Sequence, residues 1–326
     1  MTAEVLFLVE PTYASYVEPV RDALARMGHP RGEVLSSTEA TQAPARIEAA
    51  AMLVTVHSLV AAIAQVCDAV RGRVPTLTIQ DGVIEYRHCM SPAKGIWRYA
   101  PLRTDAIAAF GAQSRTLLRA LGVPDSAIHV TGNPRFDVYG AAQATRARPG
   151  SLLITSANRP TLRPAHNIPY YRLMQALFGY LDAQSIPFHV RLTRHTEPGK
   201  LSAIETVADH LDPGFVARYR ELGSRNRSLD EDLQHASAVI TTPSTIALEA
   251  MIKGLPVALI DYDGETIMTP SAWKIRCPDD VAFVIPQLLD PPALKLSLQD
   301  AYSAECLWQD AAAADRVASI ILALQR

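Results

Sequence analysis

Three polar stretches, each directly after an apolar run, carry the side chains from which a group-transfer site could be built. In Gln80-Asp81-Gly82-Val83-Ile84-Glu85-Tyr86-Arg87-His88, the titratable Asp81, Glu85 and His88 follow the apolar run 75–80 and could reach one cleft, since ligands of open α/β sheets bind at the carboxyl ends of strands. Asp-Gly is also a common turn dipeptide, so a turn and a reactive carboxylate both remain open. Arg194-His195-Thr196 follows the run 186–193, with Arg191 nearby. These cations could neutralise charge on a departing phosphate. Thr242-Pro243-Ser244-Thr245 follows AVIT, and Glu249 comes one turn later. Ser244 and Thr245 stand where a helix N-cap belongs. A helix start beside the end of a parallel strand favours an anion, through its unpaired N–H groups and its dipole. Glu249 could take two ribose hydroxyls. A plain strand–helix–strand unit with a capped helix is the alternative.

The elements that must hold these groups alternate along the chain. Residues 4–9, 32–37 and 51–56 read as strands, followed by 75–80, 104–111 and, over 127–137, a strand that runs into a turn. Helices are expected at 13–27, with Pro19 delaying the start, and at 40–50, 57–72 and 113–123. The linker candidate is 141–150, small, polar and ending in Pro-Gly. Beyond it come strand 151–156, helix 169–184, strand 186–195 and a short helix at 231–236. Strand 238–242, a helix closed by Gly254, strand 256–260, short helices at 279–289 and 293–298, and a last helix at 311–326 complete the chain. This order predicts doubly wound parallel sheets.

Composition narrows the classes. A chain of 326 residues is comfortable for two domains. Its 31 basic and 33 acidic residues give a net charge of −2, which offers no basis for bulk nucleic-acid binding. Cys67, Cys89, Cys277 and Cys306 are scattered and read as free thiols of a reducing compartment. The start, EVLFLVEP, lacks the basic flank of a signal peptide, so a cytoplasmic location is expected. The stretch 86–103 mixes Arg87, Lys94, Arg98 and Arg103 with Tyr86, Trp97 and Tyr99. It could bind an anionic acceptor, a lipid phosphate or the inner face of a membrane, or be a solvated loop with one anchoring Trp.

Several stretches together resemble a known superfamily. Pro243-Ser244-Thr245, Glu249-Ala250 and Gly254-Leu255-Pro256, with Thr131-Gly132-Asn133-Pro134-Arg135-Phe136-Asp137, are similar to stretches of GT-B glycosyltransferases and nucleotide-sugar epimerases. Asp81-Gly82 and His195 resemble motifs of bacterial sialyltransferases, polysialyltransferases, Kdo transferases and CDP-glycerol glycerophosphotransferases. Gln80 stands where those enzymes have a further acidic residue, and Thr196 replaces a Pro.

The resemblance implies two Rossmann-like domains with parallel sheets facing a cleft. Residues 1–145 would form the acceptor domain and 146–310 the donor domain, with 311–326 crossing back. It implies a transferase that moves a sugar from a CMP- or UDP-linked donor to a hydroxyl of a glycan or lipid-linked acceptor. Asp81 would be the base and His195 would face the leaving phosphate. Arg194, Ser244, Thr245, Glu249, Ser156, Asn158 and Arg159 would hold the donor, while Gly82, Glu85, His88 and Arg98 would line the acceptor side. Arg135 and Asp137 would fix the linker. No metal-ligand cluster is visible in the sequence, so no cofactor beyond the donor is expected. The alternatives are a non-hydrolysing UDP-sugar 2-epimerase, a CDP-glycerol glycerophosphotransferase, or an inactive GT-B binding protein.

Overall fold

The structure, a computed structural model, describes residues 4–56, 61–84, 99–140, 151–156, 164–191, 204–222, 228–261, 273–308 and 310–325. The chain divides into two compact units, Met1–Ala141 with Ala304–Arg326, and Ala142–Ser303.

In the first unit, β1 (Val5–Leu8), β2 (Glu33–Leu35), β3 (Met52–Thr55), β4 (Thr76–Ile79), β5 (Ala106–Ala109) and β6 (Ile128–Val130) form one sheet in the order β2-β1-β3-β4-β5-β6. Every pairing is parallel. β1, β3, β4 and β5 are buried at every residue, which explains their continuous apolar runs where alternation would mark an exposed face. The helices are α1 (Ala14–Arg26), α2 (Ser37–Gln42), α3 (Pro44–Glu48), α4 (Ala61–Val70) and α5 (Ala112–Ala120).

Two sequence expectations are corrected here. Pro19 does not delay α1, because the helix starts at Ala14 behind a 3-10 turn and carries Pro19 inside it. The single helix expected at 40–50 is two, since Pro44 takes the first position of α3 and ends its predecessor. Ser36 opens α2 with a capping box that includes Glu39.

The second unit holds β7 (Ser151–Thr155), α6 (Asn167–Ala183), β8 (Phe188–Arg191), α7 (Pro213–Leu222), α8 (Leu229–His235), β9 (Ala236–Thr241), α9 (Thr245–Ile252), β10 (Val257–Ile260), β11 (Trp273–Ile275) and α10 (Pro278–Leu289). Its sheet runs β11-β10-β9-β7-β8, again all parallel. Tyr170, Tyr171, Phe178, Phe215 and Tyr219 pack edge to face or tilted in its core. α11 (Ala293–Cys306) is much longer than the expected 293–298.

From Ala304 onward the chain belongs to the first unit, seven residues earlier than the start of the expected last helix. The Trp308 N–H donates to Phe110 O at 2.9 Å. α12 (Ala313–Leu324) packs against α1. The Asp137 carboxylate caps α12 by accepting from the N–H groups of Ala313 (3.1 Å) and Ala314 (2.7 Å). Arg316 donates to Thr131 O at 2.8 Å and lies 3.9 Å over the Trp308 ring. Gly132, at φ +82°, leaves room for this return, since a Cβ there would sit 2.3 Å from Trp308 O.

Among the described residues no single helix is long and apolar enough to cross a membrane. Cys67 and Cys306 are buried and Cys277 is exposed. Burial, helped by the charge of Asp68, pushes the Cys67 thiol up to about 12. Iodoacetamide at pH 8 should therefore modify Cys277 in the native protein and leave Cys67 intact. Peptide mass spectrometry reads the difference, and equal modification would contradict the burial.

Candidate functional site

In both sheets the strand order places a topological switch between two neighbours, β1 and β3 in one unit and β7 and β9 in the other. The crevice outside the carboxyl ends of such a pair is the common ligand position of open α/β sheets.

In the first unit β4 delivers Asp81 to the carboxyl edge of the sheet, one strand from the switch. Gln80, just before it, is fully buried and points inward. Its Nε2 donates to Gly82 O at 2.7 Å, and its Oε1 accepts from the Phe110 N–H at 3.0 Å. A carboxylate in its place could accept but not donate, and it would leave a charge in a buried position. The departure from the acidic motif is thus a structural lock, and Gly82 is a buried part of it.

Asp81 itself is half-buried and is bound by residues remote in sequence. The Tyr99 hydroxyl donates to Asp81 Oδ1 and accepts from the Asp81 N–H, the latter at 2.9 Å. The Tyr16 hydroxyl donates to Asp81 O. Arg135 lies 5.6 Å over the Tyr16 ring and donates weakly to its hydroxyl at 3.5 Å. Arg135 is therefore tied to the Asp81 neighbourhood, whereas the sequence reading gave it only a linker role. Tyr99, expected in a basic and aromatic surface loop, is buried, and Arg103 from the same stretch pairs with Asp68 at 2.6 Å. Glu85, His88 and Arg98 lie outside the described residues.

In the second unit β7, β9 and α9 bring hydroxyls together. Thr155 and Ser156 end β7, and Thr241 and Thr242 end β9, all four buried. Thr155 and Thr241 follow the paired Ile154 and Ile240 in register, so their side chains share a sheet face. The Thr241 hydroxyl reaches Ser244 Oγ at 3.5 Å, which puts that face toward the start of α9. The Thr155 hydroxyl is buried without a hydrogen-bond partner.

Ser244 is the N-cap by backbone position, but its side chain caps no helix N–H, and Thr245 is the first helical residue. The expectation of two capping hydroxyls is corrected accordingly. At the start of α9 the Ala247 N–H donates to Ser244 O at 3.1 Å, while the earlier N–H groups of a helix have no intrahelical acceptor. Glu249 is wholly buried one turn along. Arg191 is not held for a phosphate: it donates to the buried Asp232 at 3.0 Å, where His189 also approaches to 3.4 Å. Asp261 at the end of β10 pairs with Lys274 at 3.1 Å. Arg194, His195, Asn158 and Arg159 lie outside the described residues. The hydrogen bonds of Tyr16 and Tyr99 to Asp81 left no sequence signal, since 65 and 18 residues respectively separate the partners.

The sequence matches no family model and no curated protein. Solved structures do match. The wall teichoic acid polymerase TagF, soaked with CDPG, superposes with a TM-score of 0.65 over 98% of this chain and 88% of that one, at 13% identity. Both halves are Rossmann-like, and the fold is that of the GT-B proteins. The same fold is found in the S. aureus MnaA–UDP structure (TM-score 0.61, 15% identity, 99% and 98% of the two chains). It is shared too with the Methanocaldococcus jannaschii UDP-GlcNAc 2-epimerase bound to UDP-GlcNAc and UDP (0.64, 11%, 98% and 99%).

Proposed function

We propose that this GT-B protein is a metal-independent glycosyltransferase that uses a CMP- or UDP-linked sugar. The observation that carries the reading is the hydroxyl-lined start of α9 at the β7/β9 switch, with Glu249 one turn further. In this scheme the first-turn N–H groups, Ser244, Thr245 and Ser156 hold the donor phosphate, and Glu249, wholly buried in this structure, has to be uncovered before it can take the ribose hydroxyls. Arg194, His195, Asn158 and Arg159 add polar and positive contacts to the leaving group. On the acceptor side, Asp81 takes the proton of an incoming hydroxyl as its oxygen attacks the anomeric carbon. The bond from that carbon to the phosphate oxygen breaks, and the nucleotide leaves with the electron pair. The acceptor is a glycan or lipid-linked hydroxyl of envelope polysaccharide synthesis. Contact with the inner membrane face through 86–103, in the cytoplasm, belongs to the same proposal.

The epimerase alternative draws support from the two-sided coverage of the UDP-GlcNAc 2-epimerase structures. It is separated by one assay, because an epimerase converts a UDP-sugar with no acceptor present. The CDPG-soaked polymerase keeps CDP-glycerol among the donors to be tried.

The first experiment is thermal-shift binding of CMP, CDP, UMP and UDP to the wild type and to His195→Ala. At 100 times its dissociation constant a nucleotide adds about 2.7 kcal/mol of stability. A shift with one nucleotide, lost in the variant, supports the donor site and names its class. No shift with any of the four would count against the transferase and favour a binding protein.

A further inference from the structure

Tyr99 combines three features that rarely coincide. It is 2% exposed. Its backbone is left-handed at φ +61°, a conformation that is strained for an L-residue and persists where the surroundings over-determine it. Its hydroxyl closes a ring with Asp81, donating to the carboxylate and accepting from the N–H of the same residue. A second phenol, Tyr16 on α1, holds the Asp81 carbonyl, and Arg135 stacks on that ring from beyond β6. Three residues from separate parts of the first unit thus gather at Asp81, and of these Tyr99 bonds the carboxylate itself. A plain Asp-Gly turn needs none of them.

We propose that Tyr99 is the positioning residue of Asp81, fixing the rotamer of its carboxylate for an incoming hydroxyl. This rests on the reading of Asp81 as the base. A donor to Oδ1 favours the ionised form of a carboxylate, and the bond from Tyr99 fixes that oxygen in place. Tyr16 donates to the main-chain carbonyl of Asp81, and Arg135 bears on Tyr16.

The test is a pH titration of the full-length protein carrying 13C-carboxyl aspartate, with the Asp81 signal assigned by its loss in Asp81→Asn. In Tyr99→Phe the midpoint of Asp81 should rise, because a donor to the charged form is lost. In Tyr16→Phe, which removes the bond to the carbonyl, it should move far less. An unmoved midpoint in Tyr99→Phe, or equal movement in both variants, would overturn the proposal. Should Tyr99→Phe fail to fold, global 3-fluorotyrosine replaces it. That phenol is a stronger donor and should lower the midpoint, and no change would again overturn the proposal. The base reading fails separately, by full transfer activity in Asp81→Asn whatever the titration gives.

Discussion

Replacing Asp81 with asparagine should lower kcat for transfer by about 10²–10⁴-fold, the usual contribution of a positioned general base, while nucleotide binding is unchanged. Asparagine has nearly the same shape. Its Oδ1 can still accept from the Tyr99 hydroxyl, and its N–H can still donate to that oxygen. The geometry is therefore kept, and only the ability to take a proton is lost. The measurement is a steady-state rate with the donor class that the thermal shifts identify, beside the same thermal shift on the variant. Weak binding together with low kcat would mean that the substitution disturbed the fold. Undiminished kcat would place the base elsewhere.

Gly132→Ala should destabilise the protein by about 3 kcal/mol or more, since it combines a left-handed backbone with a steric clash. The new Cβ would sit 2.3 Å from a backbone oxygen, that of Trp308, and backbone cannot swing aside as a side chain can. Gly72 is the internal control. It has φ +73° with nothing within 4 Å of a Cβ, so Gly72→Ala carries the conformational cost alone, about 1 kcal/mol. Urea midpoints of the two variants give the comparison, with the slope watched for any loss of cooperativity. Equal losses would show that the return of the chain past Gly132 gives way easily.

Much of the fold was legible because burial on both faces leaves a plain mark. The runs VLFL, MLVT and VALI are apolar throughout, and each is a central parallel strand. Pro44 was legible in principle as a helix opener, but a run of helix-compatible residues on both sides hid it. The site was legible in part. Asp81, Ser244 and Thr245 do stand at strand ends and a helix start, as their spacing indicated. Missing from the sequence was the partner of each polar group. Arg191 looked like a phosphate ligand until Asp232, 41 residues away, took it. Gln80 looked like a lost catalytic acid until its amide proved to bind Gly82 and Phe110. Such pairings depend on tertiary proximity, which periodicity does not encode.

The return of residues 304–326 to the first unit has a consequence for synthesis. The second unit, 142–303, is continuous in sequence, and nothing it needs is still to be translated once its last strand and helices have left the ribosome. The first unit begins earlier and is completed later, because the face of α1 that α12 covers stays bare until residues 313–324 emerge. The order of completion is the reverse of the order of translation, and the nascent amino-terminal half carries an open apolar seam throughout the wait.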